Sequence, residues 1–321
     1  MNEFISQGSL IVFLLSFVFS IIIGNILVPF LTKKKVDQTE REIMESHVKK
    51  NGTPTMGGFI FLIPVIVFGI ILSFQNSRLI PVMIGIISFA IIGFIDDFLK
   101  VVKKKSDGLR TWQKLLLQIV AATILLLYII YFSDISLQIR VPFLPGLIDI
   151  GWIAIPLYYF CVLGTVNGVN LNDGVDAMTS TVTLVVAGFF FVASFITGAA
   201  TSDLSISVIG ALLGFLFFNL HPAKIFMGDT GSLALGGYVA AMAYVMNMPL
   251  FIIVVGFIYL LEAVSVILQV SYFKISHGKR IFKMTPIHHH FELSGWSEPK
   301  VVGVFAAITF ILAVVALYAI R

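Results

Sequence analysis

The sequence predicts an all-α membrane protein, a polytopic bundle of about ten transmembrane helices, and three observations predict it. First, 58% of the 321 residues are hydrophobic, 12% are charged, and the mean hydropathy is +1.01. Soluble domains carry roughly 45–50% apolar and about 25% charged residues, and a soluble fold of this length has too much surface to hide the excess. Second, the apolar residues form continuous runs near the roughly 20 residues that a helix needs to cross about 30 Å of hydrocarbon. They lack the alternation of a β-barrel. Third, Lys and Arg collect in every other connection between those runs.

In chain order, the spans are expected over 9–31, 57–74, 79–95, 113–132, 151–167, 178–198, 204–220, 231–247, 249–271 and 300–320. The first, fourth, ninth and tenth stand out clearly; Gly, Asn and Pro interrupt the fifth to eighth. The connections 32–56, 96–112, 168–177, 221–230 and 272–299 then share one side. They hold Lys33, Lys34, Lys35, Lys103, Lys104, Lys105, Lys279 and Arg280, whereas the other side has Arg78, Arg140 and the terminal Arg321. The positive-inside rule places the five basic connections in the cytoplasm and both termini outside. An odd number of spans would scramble this segregation. On the outer side, 133–150 is long enough for a small hairpin. The chain reads as a single integral-membrane domain, 1–321. The abundant Gly (26) and Phe (30) suit helices that pack closely and face lipid. The lone Cys161 rules out a disulfide framework, and the MNEF start is not that of a cleaved signal peptide.

Polar chemistry concentrates on the inner side. Asp96 and Asp97 close the third span, with Lys100 one turn later on the face of Asp96. Adjacent carboxylates at a membrane edge are costly to desolvate without a cation or substrate, although a solvated helix terminus accounts for them too. The stretch NGVNLNDGVDAM sets Asn167, Asn170, Asn172, Asp173 and Asp176 among two glycines. Its amides suit a base or a sugar; a turn favours the same residue types but needs fewer of them. Asn219, His221 and Lys224 precede Gly228-Asp229-Thr230-Gly231-Ser232, where a helix start exposes N–H groups to a phosphate. Asp229 there suits Mg²⁺, and ordinary N-capping explains part of the same pattern. His288, His289, His290 and Glu292 follow the ninth span. Three successive histidines do not converge on one zinc ion from a regular element, but one or two can reach a phosphate. Lys49 and Lys50 lie before a Gly-Thr-Pro-Thr turn and read equally as diphosphate ligands or as positive-inside charges. Glu262 lies inside the ninth span, where an acid serves coupling or structure.

Five loops thus bring carboxylates, amides, histidines and lysines to one side of the membrane. That suits an enzyme joining a charged cytoplasmic substrate to a lipid. No span carries the repeated polar face of a channel.

GTPTMGG at 52–58, DDFLK at 96–100, NLNDGVDAM at 170–178, the stretch from Phe218 to Ser232, and PIHHHFE at 286–292 resemble the phospho-N-acetylmuramoyl-pentapeptide transferase family. That family belongs to the polyprenyl-phosphate N-acetylhexosamine-1-phosphate transferase superfamily, and the resemblance runs the length of the chain. The family often has Thr at 172 and Gly at 177, where this chain has Asn and Ala. The resemblance implies transfer of phospho-N-acetylmuramoyl-pentapeptide from its UDP-linked form to undecaprenyl phosphate, giving lipid I and UMP with Mg²⁺. It implies Asp229 as metal ligand with Asp96 and Asp97 close by, and Asp96, Asp97, Asp229 and His288 as the catalytic set. Gly174, Val175, Asp176 and Phe226 would form the uridine pocket, and Asn170, Asn172, Asp173, Asn219, Lys50, Lys100 and Thr55 the nucleotide and phosphate region. His289 and His290 would reach the substrate beside His288. It further implies a homodimer in the cell membrane, with the active site facing the cytoplasm; no nucleic-acid partner is expected. Two other readings compete: a sibling transferring N-acetylglucosamine-1-phosphate, which should lack PIHHHFE, and a secondary transporter, which should show paired repeats with polar groups at midplane. No such repeat is found.

Overall fold

The structure is a computed structural model that describes residues 7–34, 52–103 and 108–320. Helix meets each expected span, and the architecture is a helical bundle without a named strand among the described residues. The helices are α1 (Gln7–Lys33), α2 (Phe59–Gln75), α3 (Ile80–Lys103), α4 (Thr111–Phe132), α5 (Ala154–Leu171) and α6 (Met178–Thr197), then α7 (Ser202–Asn219), α8 (Gly228–Val245), α9 (Ile252–Val255), α10 (Phe257–Ile275), α11 (Ile287–Glu292) and α12 (Glu298–Tyr318). Among the described residues, eight helical segments are long and apolar enough to cross a membrane, and α2 is a shorter apolar helix. The chain is a multi-pass membrane protein. In the outer connection 133–150, the hairpin reduces to a single antiparallel bridge between Ile139 and Ile148.

One span departs from expectation. The run 249–271 is not one helix: it divides at Gly256 into α9 and α10, and α10 continues to Ile275. Gly256 takes φ −96° and ψ 20°, outside the helical well, and a Cβ there would crowd the Ile252 carbonyl at 2.7 Å.

The helix α8 forms the axis of the bundle. Every residue in it except Asp229 is buried, so it needs no lipid-facing surface, and α3, α5, α6 and α2 pack around it. Without a hydrophobic drive between helices in lipid, association depends on close van der Waals packing, which small residues permit. The sequence of α8 supplies them, with Ala and Gly at eight positions including Gly236-Gly237 and Ala240-Ala241. The tightest crossing is with α3. Gly85 lies against the carbonyl of Gly237, and Gly93, two turns onward, lies against the backbone of Asp229. That crossing carries Asp96 and Asp97 one turn further, to the start of α8. Around this centre, α1 packs on α7 and α2, and α12 on α6. Their outward faces carry exposed apolar side chains such as Ile26, Phe30, Phe310 and Ile311, which meet lipid.

A Cβ at Gly93 would overlap the Asp229 carbonyl, whereas one at Gly188 in α6 meets nothing within 4 Å. Gly93→Ala is therefore expected to lower stability in detergent by about 1–3 kcal/mol. Gly188→Ala is expected to leave it unchanged or raise it by up to about 1 kcal/mol through helix propensity. Thermal unfolding of both purified variants measures the difference.

Candidate active site

The inner end of α3 is fastened to the start of α8 by one carboxylate. Asp97 is fully buried. Its Oδ1 accepts the Asp229 amide at 3.1 Å; its Oδ2 accepts the Thr230 amide at 2.8 Å and the Thr230 hydroxyl at 2.6 Å. The first N–H groups of a helix have no partner within the helix, and an anion placed there satisfies them and meets the positive end of the dipole. Here the cap comes from another helix. Both Asp97 oxygens are engaged, and the bond network sets the direction in which Asp229 leaves the helix start.

The side chain of Asp229 then enters a charge cluster. Its Oδ1 accepts Asn170 Nδ2 at 2.7 Å; its Oδ2 accepts Lys100 Nζ at 2.8 Å and Lys114 Nζ at 3.0 Å. Asp96 shares both cations, with Lys100 Nζ at 2.8 Å and Lys114 Nζ at 3.8 Å from its Oδ2. The Leu109 amide donates to its Oδ1 at 2.6 Å. Asn170 completes the ring: its Oδ1 accepts Lys114 at 3.1 Å and its Nδ2 also donates to Ser232 Oγ at 2.9 Å. Two carboxylates and two ammonium groups thus balance one another in a partly buried place, where an unpaired charge would be very costly.

A cleft opens beside this cluster. Asn170, Asp173, Gly174, Val175 and Asp176 line one wall; Asn219, Phe226, Met227, Gly228 and Asp229 line the other. Asn219 joins the walls: its Oδ1 accepts the Ala177 amide and Ser180 hydroxyl, and its Nδ2 donates to the Ile225 carbonyl. The turn carrying Phe226 is tied to the segment before α2 by Phe226 N to Pro54 O and Gly57 N to Phe226 O, both 2.8 Å. Asp176 is buried and accepts His221 Nδ1 at 2.9 Å and the Ala223 amide at 3.1 Å, while its own amide donates to Glu298 at 3.3 Å. Burial, and then the charges of Asp229 and Asp97, push the Asp173 carboxyl well above the usual carboxylate range.

The remaining expected residues lie at different distances from the cleft. Thr55 is fully buried against Gly228, and its hydroxyl makes no hydrogen bond among the described residues. Asn172 is fully buried at the end of α5, with Nδ2 3.4 Å from Thr179 Oγ1. His288 is fully buried and abuts Gly174. His289 pairs with Glu292 at 2.8 Å, and His290 Nδ1 accepts the Lys283 amide at 3.1 Å; neither lines the cleft. Lys50 lies outside the described residues, as does its neighbour Lys49.

The sequence reading missed Lys114, the second cation of the cluster, and Glu298, which holds the Asp176 amide. The signal for Lys114 was a cation just inside an apolar run in TWQKLLLQ, which an ordinary boundary charge explains equally well. Glu298 stands eight residues past the histidines, at the start of α12, and nothing local marks it.

Magnesium takes hard oxygen ligands, usually one or two carboxylates completed by waters and substrate phosphate oxygens. Asp229 and Asp96 meet at one point with an amide oxygen of Asn170 nearby, so this donor set fits that ion. Two other groups, Asp176-His221-Glu298 and His288-His289-Glu292, also hold ligand-type atoms within 4.8 Å of one another. In both, the imidazole already bonds a carboxylate of the group.

Comparison with known proteins bears on this arrangement. The model of glycosyl transferase family 4 matches residues 79–247, and the phospho-N-acetylmuramoyl-pentapeptide-transferase signature 1 matches residues 50–62. The phospho-N-acetylmuramoyl-pentapeptide-transferase of Acetivibrio thermocellus is 47% identical over 317 residues, covering 97% of this chain and 94% of the relative. That of Clostridium botulinum is 46% identical over 322 residues, covering 99% and 98%. That of Caldanaerobacter subterraneus is 47% identical over 309 residues, covering 96% and 97%.

The raised Asp173 carboxyl has a consequence for stability. Its folded-state value lies above the ordinary 3.8, so the native state binds the proton more tightly than the unfolded chain. Its contribution is then fully present below that ordinary value and is lost as pH rises through the raised one. Wild type should therefore gain stability relative to Asp173→Asn on going from pH 8 to pH 5. Melting temperatures of the two proteins at both pH values measure this, and a constant difference would contradict it.

Proposed function

The chain belongs to the phospho-N-acetylmuramoyl-pentapeptide-transferase family, and from that premise we propose the chemistry of its cleft. The enzyme transfers phospho-N-acetylmuramoyl-pentapeptide from its UDP-linked form to undecaprenyl phosphate in peptidoglycan synthesis, yielding lipid I and UMP at the cytoplasmic face of the cell membrane. An oxygen of the lipid phosphate forms a bond to the phosphorus that carries the sugar. The bond from that phosphorus to the bridging oxygen breaks, and UMP leaves with that oxygen.

The observation that carries this reading is the cluster itself: Asp96, Asp229, Asn170, Lys100 and Lys114 meet within hydrogen-bonding distance at the end of a cleft. Negative charge builds on the transferring and leaving oxygens during such a transfer, and preorganised cations and donors supply most of the catalysis. Lys100 and Lys114 are held at this point by their carboxylate partners and serve the phosphate oxygens when substrate arrives. Asp229, with Asp96, would hold Mg²⁺, which when bound supplies Lewis-acid stabilisation of phosphoryl oxygens. Asp96 positions the lipid phosphate rather than removing a proton from it, since a phosphate monoester at neutral pH is already largely ionised. Its bonds to Leu109 and Lys100 fit a group held in one orientation. Asp97 supports the chemistry by fixing the start of α8.

The uridine end of the donor occupies the other part of the cleft. Gly174, Val175, Asp176 and Phe226 surround the base, with the Phe226 ring available for stacking. Asn219 and Asp173 lie between base and phosphates, and Thr55 and Asn172 stand behind them. Lys50 is proposed as a further phosphate ligand, and of the histidines in the α10–α12 connection His288 is the one beside the cleft, abutting Gly174. The PIHHHFE segment supports the muramoyl-pentapeptide donor over N-acetylglucosamine. A homodimer through membrane helices is part of the same proposal.

Purified protein in detergent, supplied with Mg²⁺ and undecaprenyl phosphate, is expected to form lipid-linked product from the UDP-muramoyl-pentapeptide donor and none from UDP-N-acetylglucosamine. Chelation should abolish turnover and added Mg²⁺ restore it. Lys114→Gln is expected to lower kcat by about 10²–10³-fold. Near-normal turnover by Asp96→Asn would remove Asp96 from its role, and product from only the second donor would reassign the substrate.

A further inference from the structure

Glu262 and His288 are both fully buried, one in α10 and the other in α11. Neither belongs to the aspartate–lysine cluster. His288 Nδ1 stands 3.1 Å from Glu262 Oε1. Among the described residues, neither atom, nor Glu262 Oε2, nor His288 Nε2, has a well-aligned hydrogen bond. A buried carboxylate and a buried imidazole with no other polar partner are expensive to leave unmatched. At 3.1 Å each is the partner the other has, and a small ring rotation completes the bond. The opposite edge of the ring decides what the pair is for. A Cβ added at Gly174 would overlap His288 Nε2, so the ring extends from Glu262 to the loop that walls the cleft, and Gly174 is what lets it come so close.

Glu262 also sits level with the end of α5, beside the site. One turn earlier on α10, the Tyr259 backbone packs on Gly168 near the end of α5, and the Tyr259 hydroxyl bonds Thr183 Oγ1 at 2.8 Å. The acid inside the ninth apolar run is therefore one residue away from the substrate loop, through a single imidazole.

The geometry points to Glu262 as a positioning residue for the transfer: it accepts the Nδ1 proton of His288, fixes the ring, and leaves Nε2 as the atom held against the cleft loop at Gly174, toward the bound donor. When one imidazole nitrogen donates to a carboxylate, the tautomer and the role of the other nitrogen are set, and carboxylates that support metal-bound histidines in this way are worth about 10–100-fold in activity. This inference rests on the transferase reading above.

Four variants test it, with thermal melts to check that each is folded. Glu262→Leu is expected to lower kcat by about 10–100-fold, with little change in KM for the UDP-linked donor. Glu262→Gln, which keeps an acceptor for Nδ1–H, should recover most of that loss. In a His288→Gln background, Glu262→Leu should add no further loss, because residues acting as a unit are not additive. A kcat at the wild-type level in a folded Glu262→Leu protein would overturn the inference, and so would losses that multiply in the double variant. The nitrogen-15 signals of His288 give a readout free of turnover: Nδ1 protonated in wild type, and a mixture of tautomers in Glu262→Leu. Identical signals in the two proteins would also overturn it. Wild-type protein inactive on either donor would instead sink the transferase reading, leaving the nitrogen-15 result to decide the pairing.

Discussion

The inner end of this bundle depends on the Asp97 carboxylate accepting three hydrogen bonds from Asp229 and Thr230. In a membrane protein the packing of apolar side chains against one another competes with equally apolar lipid, so it specifies position poorly. Two features replace it here. The glycine face of α3 lets its backbone touch that of α8, and the buried carboxylate then fixes the sliding register between the two helices. Moving α3 by one residue along α8 would leave the Asp97 charge and the first α8 amides buried without partners, a large cost.

From that fixed point the rest of the site follows by short steps. Asp96 precedes Asp97, Lys100 lies one turn beyond it, and Asp229 is the residue whose backbone Gly93 of α3 packs against. Asn170 at the end of α5 and Lys114 at the start of α4 close the ring. Within the ring itself the two carboxylates and two ammonium groups balance before any substrate enters. The lysines that balance the carboxylates are also those that stand ready for substrate phosphates. The division of the cleft is equally plain: the charge cluster lies at one end, and a wall of amides, glycines and Phe226 at the other.

Much of this was legible in the sequence, and the reasons for the remainder are physical. Hydropathy located each membrane-spanning helix because crossing a bilayer constrains length and polarity together, and the distribution of Lys and Arg grouped the polar loops on one side. The aspartates, amides and histidines were visible because polar residues beside long apolar runs are conspicuous. The role of Asp97 was not, since capping a helix more than a hundred residues away leaves no local pattern. Lys114 was hidden for the opposite reason, being of a type that membrane edges attract anyway. The division of the ninth run at Gly256 escaped because glycine is frequent in membrane helices and marks a break only in some of them. The three histidines looked alike in sequence, yet one faces Glu262, one pairs within its own helix, and one accepts a backbone amide.

The claim on which the account stands is that the Asp97–Thr230 contact joins α3 to α8 and thereby brings Asp96 and Asp229 together. A double-mutant cycle measures that contact directly, using Asp97→Asn, Thr230→Val and the combined variant, with unfolding free energies determined in mild detergent. The account predicts a coupling of about 1.5–3 kcal/mol, the range for a charge-assisted hydrogen bond. Losses that add within about 0.5 kcal/mol, the behaviour of independent sites, would contradict it.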